Sequence, residues 1–168
     1  MHKSVRERKI TGTGGKDKTI VAGIMERDGR VRASIVPDTG KATLQSGIRA
    51  SVEAGAIVYT DAHGGYSGLN ADFVHEVVDH AEKYVEGKIH INSMENFWAR
   101  LKRGLHGTYV SVDRCHLYRY LDERVFTFNH RKEDDLARFC QVIAHVAGRR
   151  LTYSQVTAHA AGWSRCAP

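Results

Sequence analysis

Asp61, Glu95 and Lys102 are the residues whose types and surroundings could do chemistry together. Asp61 closes a short apolar run, Ala56 to Thr60 (A-I-V-Y-T), that reads as a buried parallel strand. In open α/β sheets ligands gather at the C-terminal edge of the strands, so an acid at that point is well placed to act. The plainer alternative is that Asp61 caps the turn before Gly64-Gly65. Glu95 and Lys102 belong to the stretch His90 to Gly104, H-I-N-S-M-E-N-F-W-A-R-L-K-R-G. They are seven residues apart, nearly two helical turns, so they share a face roughly 10 Å apart along the axis. A carboxylate at one end of a face and an amine at the other suits an extended anionic ligand whose reacting phosphate meets a metal at Glu95. The alternative is an amphipathic helix with solvated charges.

That helix is predicted from Met94, Phe97, Trp98, Leu101 and Leu105, which recur at three- and four-residue steps. Asn92 or Ser93 can cap its start, and Glu95 sits in the first turn, where the helix dipole favours negative charge. Trp98 reads as core, and Arg100 as a solvent-facing charge. Upstream, Thr19 to Glu26 and Val31 to Val36 are predicted strands, joined by a turn at Asp28-Gly29 and ended by Pro37. Lys41 to Glu53 has near-helical spacing and stops at Gly55. Phe73 to His80 reads as an edge strand. Downstream, Asp113 can cap a helix running to Asn129, with Leu117, Tyr120, Leu121, Arg124, Val125 and Phe128 as its stripe. Leu136 to Val146 is predicted helical, with Leu136, Phe139, Cys140, Ile143 and Val146 inward. Tyr153 to Trp163 reads as a last short helix or a tail. The order strand, strand, helix, strand, strand, helices describes an α/β domain with a mixed sheet flanked by helices, resembling an RNase H-like core.

The 168 residues suffice for one domain with a real core. The division expected is a basic, Gly-rich loop over 1–18, a catalytic domain over 19–150 and a C-terminal helix or tail over 151–168. A formal charge of +6 tilts the partners toward polyanions such as nucleic acid. In the first segment Lys16 and Lys18 are candidate contacts to a phosphate backbone. Its glycines form no P-loop, because no G-K-[ST] follows at the right offset. No apolar run approaches the length of a membrane span, and no secretory signal is evident. Three widely spread cysteines read as reduced thiols, pointing to the cytoplasm. Ten histidines offer no zinc spacing, and His75 and His80 fall on opposite faces of their strand.

Tyr59-Thr60-Asp61, the motif from His90 to Gly104, and Leu117 to Arg131 (L-Y-R-Y-L-D-E-R-V-F-T-F-N-H-R) together are specific where each alone is not. With them the chain resembles the DDE-type insertion-sequence transposases with an ISXO-like domain, the IS fifteen-ninety-five family, from about Gly12 to about Asn129. The resemblance implies an RNase H-like fold and metal-dependent cutting and joining of transposon DNA ends, with magnesium or manganese as cofactor. It makes Asp61 the second acid, Glu95 the third and Lys102 the basic partner beside the cut. Asn92 is the rival for the third position. Lys102 and Arg103 would hold DNA phosphates.

The chain also departs from the pattern. Family members carry a first aspartate in a D-E-T-x-x-G strand ahead of a basic segment like residues 1–18, and here no aspartate precedes Asp17. The expectation is therefore an N-terminally truncated transposase domain whose first strand and first acid are missing. A complete site would hold two magnesium ions about 3.5–4 Å apart. Asp61 and Glu95 alone would hold at most one, weakly, so cleavage and strand transfer would be impaired. The alternative is a non-catalytic DNA-binding remnant. Loss of a strand would also leave a sheet edge open to pairing, giving a possible homo-oligomer.

Overall fold

The computed structural model describes residues 18–27, 29–78, 92–109 and 112–157. Strands β1 (Ile20–Met25) and β2 (Val31–Val36) form an antiparallel hairpin in which Val21 faces Ile35 and Met25 faces Val31. Gly29 N donates to Glu26 O at 3.1 Å, closing a turn where glycine was anticipated; Asp28 lies outside the described residues. Helix α1 (Lys41–Ser51) follows, and Gly55, at φ 81°, turns the chain into β3 (Ile57–Thr60). β4 (Val74–Val77) runs parallel to β3. The motif helix is α2 (Asn92–Arg103), followed by α3 (Leu117–Asn129), α4 (Asp135–Val146) and the short α5 (Tyr153–Thr157). The fold is thus mixed α/β. No helix among the described residues is long and apolar enough to cross a membrane.

The helices α2 and α3 owe their packing to their apolar stripes. Phe97 and Leu101 of α2 and Leu121 and Phe128 of α3 are buried against Val31 of β2. The Phe97 and Phe128 rings meet edge to face at 5.3 Å, a favoured aromatic geometry. On β2 the core side alternates with Arg32 and Ser34, which are exposed. The opposite face of β1 turns Ile24 toward a second core, where Ile48 of α1, Leu69 and Phe73 are buried and Val58 of β3 packs on them. β1 therefore lies between two layers of helix.

Several expectations are corrected. Among the described residues the strands form two two-stranded sheets, β1–β2 and β3–β4, and not one mixed sheet. Ile24 of β1 and Val58 of β3 share a core without sharing a hydrogen-bond ladder. β3 has the parallel pairing anticipated, yet it is not buried throughout, since Ile57 is 56% exposed. The largest departure is α4. Its stripe was expected to face inward, but none of its residues is buried. One boundary also shifts: a 3-10 turn, Arg114–His116, precedes α3, and Asp113 caps that turn, not the helix, by accepting from Cys115 N at 3.0 Å. Cys140 is free and exposed, but Cys115 is disulfide-bonded, which corrects the reading of three reduced thiols: wide spacing in sequence does not keep cysteines apart in the fold.

Candidate nucleic-acid interface

Asp61 follows Thr60, the last residue of β3, so it stands at the C-terminal edge of the parallel pair. It is exposed, and one carboxylate oxygen accepts from His63 N at 3.3 Å. The turn-capping role is therefore present, but a carboxylate has acceptor capacity beyond one bond. The loop is fixed from behind. The buried Gln45 of α1 donates from Nε2 to Gly65 O (3.2 Å) and Ser67 O (2.8 Å). A Cβ on Gly65 would come within 2.8 Å of Leu44 Cδ1 and 3.1 Å of Thr39 O, so a larger residue would crowd this loop against α1. Tyr66 sits beside the acid; its own burial, and then the charge of Asp61, push its hydroxyl pKa above the ordinary value. Gln45 was not anticipated as a support, because its partners lie about twenty residues away.

Glu95 occupies the first turn of α2 and is exposed; Lys102 and Arg103 are exposed in the last turn. Asn92 is the first residue of α2, but its side chain lies outside the described residues, as does Lys16. Lys18 is exposed ahead of β1. Between Glu95 and Lys102 the helix rests on β1 through Trp98, whose Cζ2 would lie 2.8 Å from a Cβ on Gly23. Trp98 is thus packed against the core, as its apolar position suggested.

Consecutive helical residues point about 100° apart. Lys102 and Arg103 therefore diverge: Lys102 follows the face of Glu95, and Arg103 turns into a cleft of about 260 Å³ between α2 and α3. Arg100 and Arg124 also line this cleft, with the hydroxyls of Thr108 and Thr127 and a floor that includes Phe97. Arg124 is the residue the sequence misplaced, since it was counted within an apolar stripe. Its Nη2 donates to Tyr109 Oη at 3.0 Å, and its guanidinium stacks 5.1 Å from the Tyr109 ring. Glu123 accepts from the same hydroxyl at 2.5 Å, and this bond is the main reason the Tyr109 pKa is raised. Gly104 makes room for Arg124: a Cβ there would fall 2.7 Å from Arg124 Nε. The helix does not stop at this glycine but passes into a π turn, Gly104–Thr108. The glycine of the L-K-R-G motif was the available signal that a side chain passes close by.

Carboxylates are the donors magnesium prefers, and both candidate acids are accessible. Among the described residues, however, no group of three or more His, Cys, Asp or Glu could hold a metal ion. Asp61 and Glu95 each offer the oxygen donors such a cation prefers.

The chain is a basic α/β domain with an acid at a parallel strand's C-terminal edge and an arginine-lined cleft along a motif helix, a surface whose charge suits polyanions. Residues 2–129 match the family model described as the ISXO2-like transposase domain, and the chain belongs to that family. It is also similar to an "uncharacterized transposase-like protein" of Haemophilus influenzae, with 33% identity over 102 residues, 60% of this chain and 82% of that protein. No solved structure matches the chain.

Proposed function

We propose that this chain is the DNA-handling core of an insertion-sequence transposase, RNase H-like in plan. In this reading Asp61 and Glu95 (or Asn92 in its place) are the acids at the scissile phosphate, and Lys102 steadies the backbone beside it. The observation that carries the reading is the family match, which spans both Asp61 and the whole of α2. The hairpin followed by a helix and a parallel pair with an acid at its C-terminal edge supports the RNase H-like plan. Arg103, joined by Arg100 and Arg124, binds backbone phosphate in the cleft; Lys16 and Lys18 add contacts without sequence preference. A magnesium ion bound at the two acids would activate the attacking oxygen and stabilise the leaving one. With no third acid gathered among the described residues, that ion is held weakly and turnover is low. The domain division follows the same reading, with the catalytic unit over 19–150.

A nicking and strand-transfer assay on transposon-end DNA, with magnesium or manganese, tests the chemistry. Low activity that Asp61→Ala removes is expected; robust activity would overturn the claim of impairment. The second reading is a binding module that grips DNA without cutting it, favoured by a cleft that needs arginines and no acid. Magnesium titration by calorimetry on the wild type and Asp61→Asn separates the two. Equal heats leave the binding module. Under either reading Arg103→Gln and Arg124→Gln should each lower the salt dependence of DNA affinity by about one phosphate contact.

A further inference from the structure

Helix α4 carries an apolar stripe with no element packed on it among the described residues. Leu136, Phe139, Ile143 and Val146 follow one another at steps of three, four and three, the a and d positions of two heptads. They are 69%, 62%, 48% and 51% exposed, and Val142 beside them is 44% exposed. The opposite face of the helix is already satisfied from within. Arg138 pairs with Asp135, Gln141 donates to Glu133 at 2.6 Å, and His145 Nδ1 lies 2.7 Å from Gln141 O. Asp134 caps the helix by accepting from Ala137 N at 2.7 Å. The helix is therefore well formed and charge-paired on one side and open on the other. Scattered exposed apolar residues are ordinary, but a contiguous patch of several hundred Å² marks an interaction surface.

We infer that α4 is a self-association surface, pairing antiparallel with α4 of a second copy of this chain. A heptad stripe packs best against another of the same repeat, because a and d side chains enter holes formed by the facing helix. In a two-fold antiparallel pair Phe139 meets Ile143 of the second copy and Leu136 meets Val146. The ends are complementary as well. Asp134 and Asp135 lie at the start of the helix, and Arg149 and Arg150 lie just past its end. Antiparallel pairing sets each acidic end against the other copy's basic end, and opposes the two helix dipoles. Parallel pairing would stack like charges. The five apolar side chains expose on the order of 500 Å² per copy, so a symmetric pair covers at most roughly 1,000 Å², the size of a weak, reversible interface. The surface is distinct from the arginine cleft, and it does not depend on the DNA-cutting reading.

Sedimentation of the full chain at about 100 μM should show a dimer, a concentration that populates even weak complexes. Phe139→Glu with Ile143→Glu should give a monomer with an unchanged circular dichroism spectrum. Both residues are exposed, and glutamate is a good helix former. Arg149→Glu with Arg150→Glu should weaken the dimer about tenfold, and high salt should weaken the wild type. A wild-type monomer at that concentration overturns the proposal. So does a dimer that survives the glutamates at 139 and 143, because it must use another surface. A dimer lost through those glutamates but indifferent to charge reversal and salt overturns the antiparallel arrangement.

Discussion

The two sheets are built from the same number of strands and are held in opposite ways. β1–β2 packs one face on α2 and α3, where Val31 and Phe97 are essentially inaccessible, and the other on α1 through Ile24. β3–β4 packs its inner residues on the second core but leaves Ile57, Val74 and Val77 more than half exposed. Parallel strands are normally covered on both faces. Glu95 and Lys102 sit on a helix anchored to the well-packed sheet, and Asp61 sits at the end of the half-covered one. Among the described residues the two halves meet at Ile24 in the shared core and at Arg27, whose guanidinium lies 4.8 Å over the Tyr59 ring. The acids of the proposed site thus depend on two cores of unequal strength, and the weaker one carries the strand-end acid.

The comparison breaks first, and most heavily, at Phe97. Phe97→Ala empties the centre of the stronger core and should cost about 3–5 kcal/mol, a fall in melting temperature on the order of 10 °C. Ile57→Ser, on the exposed face of β3, should change stability by no more than about 0.5 kcal/mol. Thermal unfolding of both variants checks the contrast. Equal costs would mean that the face of β3 is covered in solution, and the two halves would no longer differ.

A smaller effect is expected at Asn129, which locks the stronger half. Its Oδ1 accepts from Val31 N at 2.8 Å and its Nδ2 donates to Val31 O at 3.0 Å, so it pairs with β2 as a neighbouring strand would. Val31 is fully buried, and Asn129→Ala leaves both its backbone groups unpaired at a cost of about 2–3 kcal/mol. Asn129→Asp retains the acceptor and loses the donor, so denaturant titration should rank it below wild type even at neutral pH. A wild-type midpoint for the alanine variant would mean that water replaces both bonds.

Asn129 also shows where sequence reading stops. The apolar spacing of α2, the glycine turn between β1 and β2 and the end of α1 ahead of Gly55 were all legible, because each signal lies within a few residues of its effect. Asn129 and Val31 are 98 positions apart, and no local pattern pairs them. Likewise, periodicity identified the apolar side of α4 but could not say whether any element covers it. The separation of the sheets was hidden for the same reason: strand composition does not reveal which ladders form. At the proposed site, Asp61 and the α2 charges were nominated from type and spacing, and the structure places them exposed at a strand end and along a helix. The arginine cleft was not nominated, because Arg124 stands in register with apolar neighbours and only the facing Gly104 hinted that a guanidinium passes there.

The smallest effect sharpens the comparison from the stronger half's outer surface. Asp122 of α3 lines a second cleft of about 300 Å³ with Ala33, Ile35 and Tyr118, and burial pushes its carboxyl pKa above the ordinary value. A raised carboxyl pKa means that the folded chain keeps this proton to a higher pH than the unfolded chain does. The associated stability is present below the ordinary carboxylate range and is lost as pH rises through the folded value. At pH 7 the charged side chain is therefore a liability, moderated because the residue as a whole is exposed. Asp122→Asn should raise the melting temperature at pH 7 by about 2 °C at most, and the gain should vanish when both proteins are melted below the carboxylate range. An advantage that persists in acid would trace to packing instead of charge.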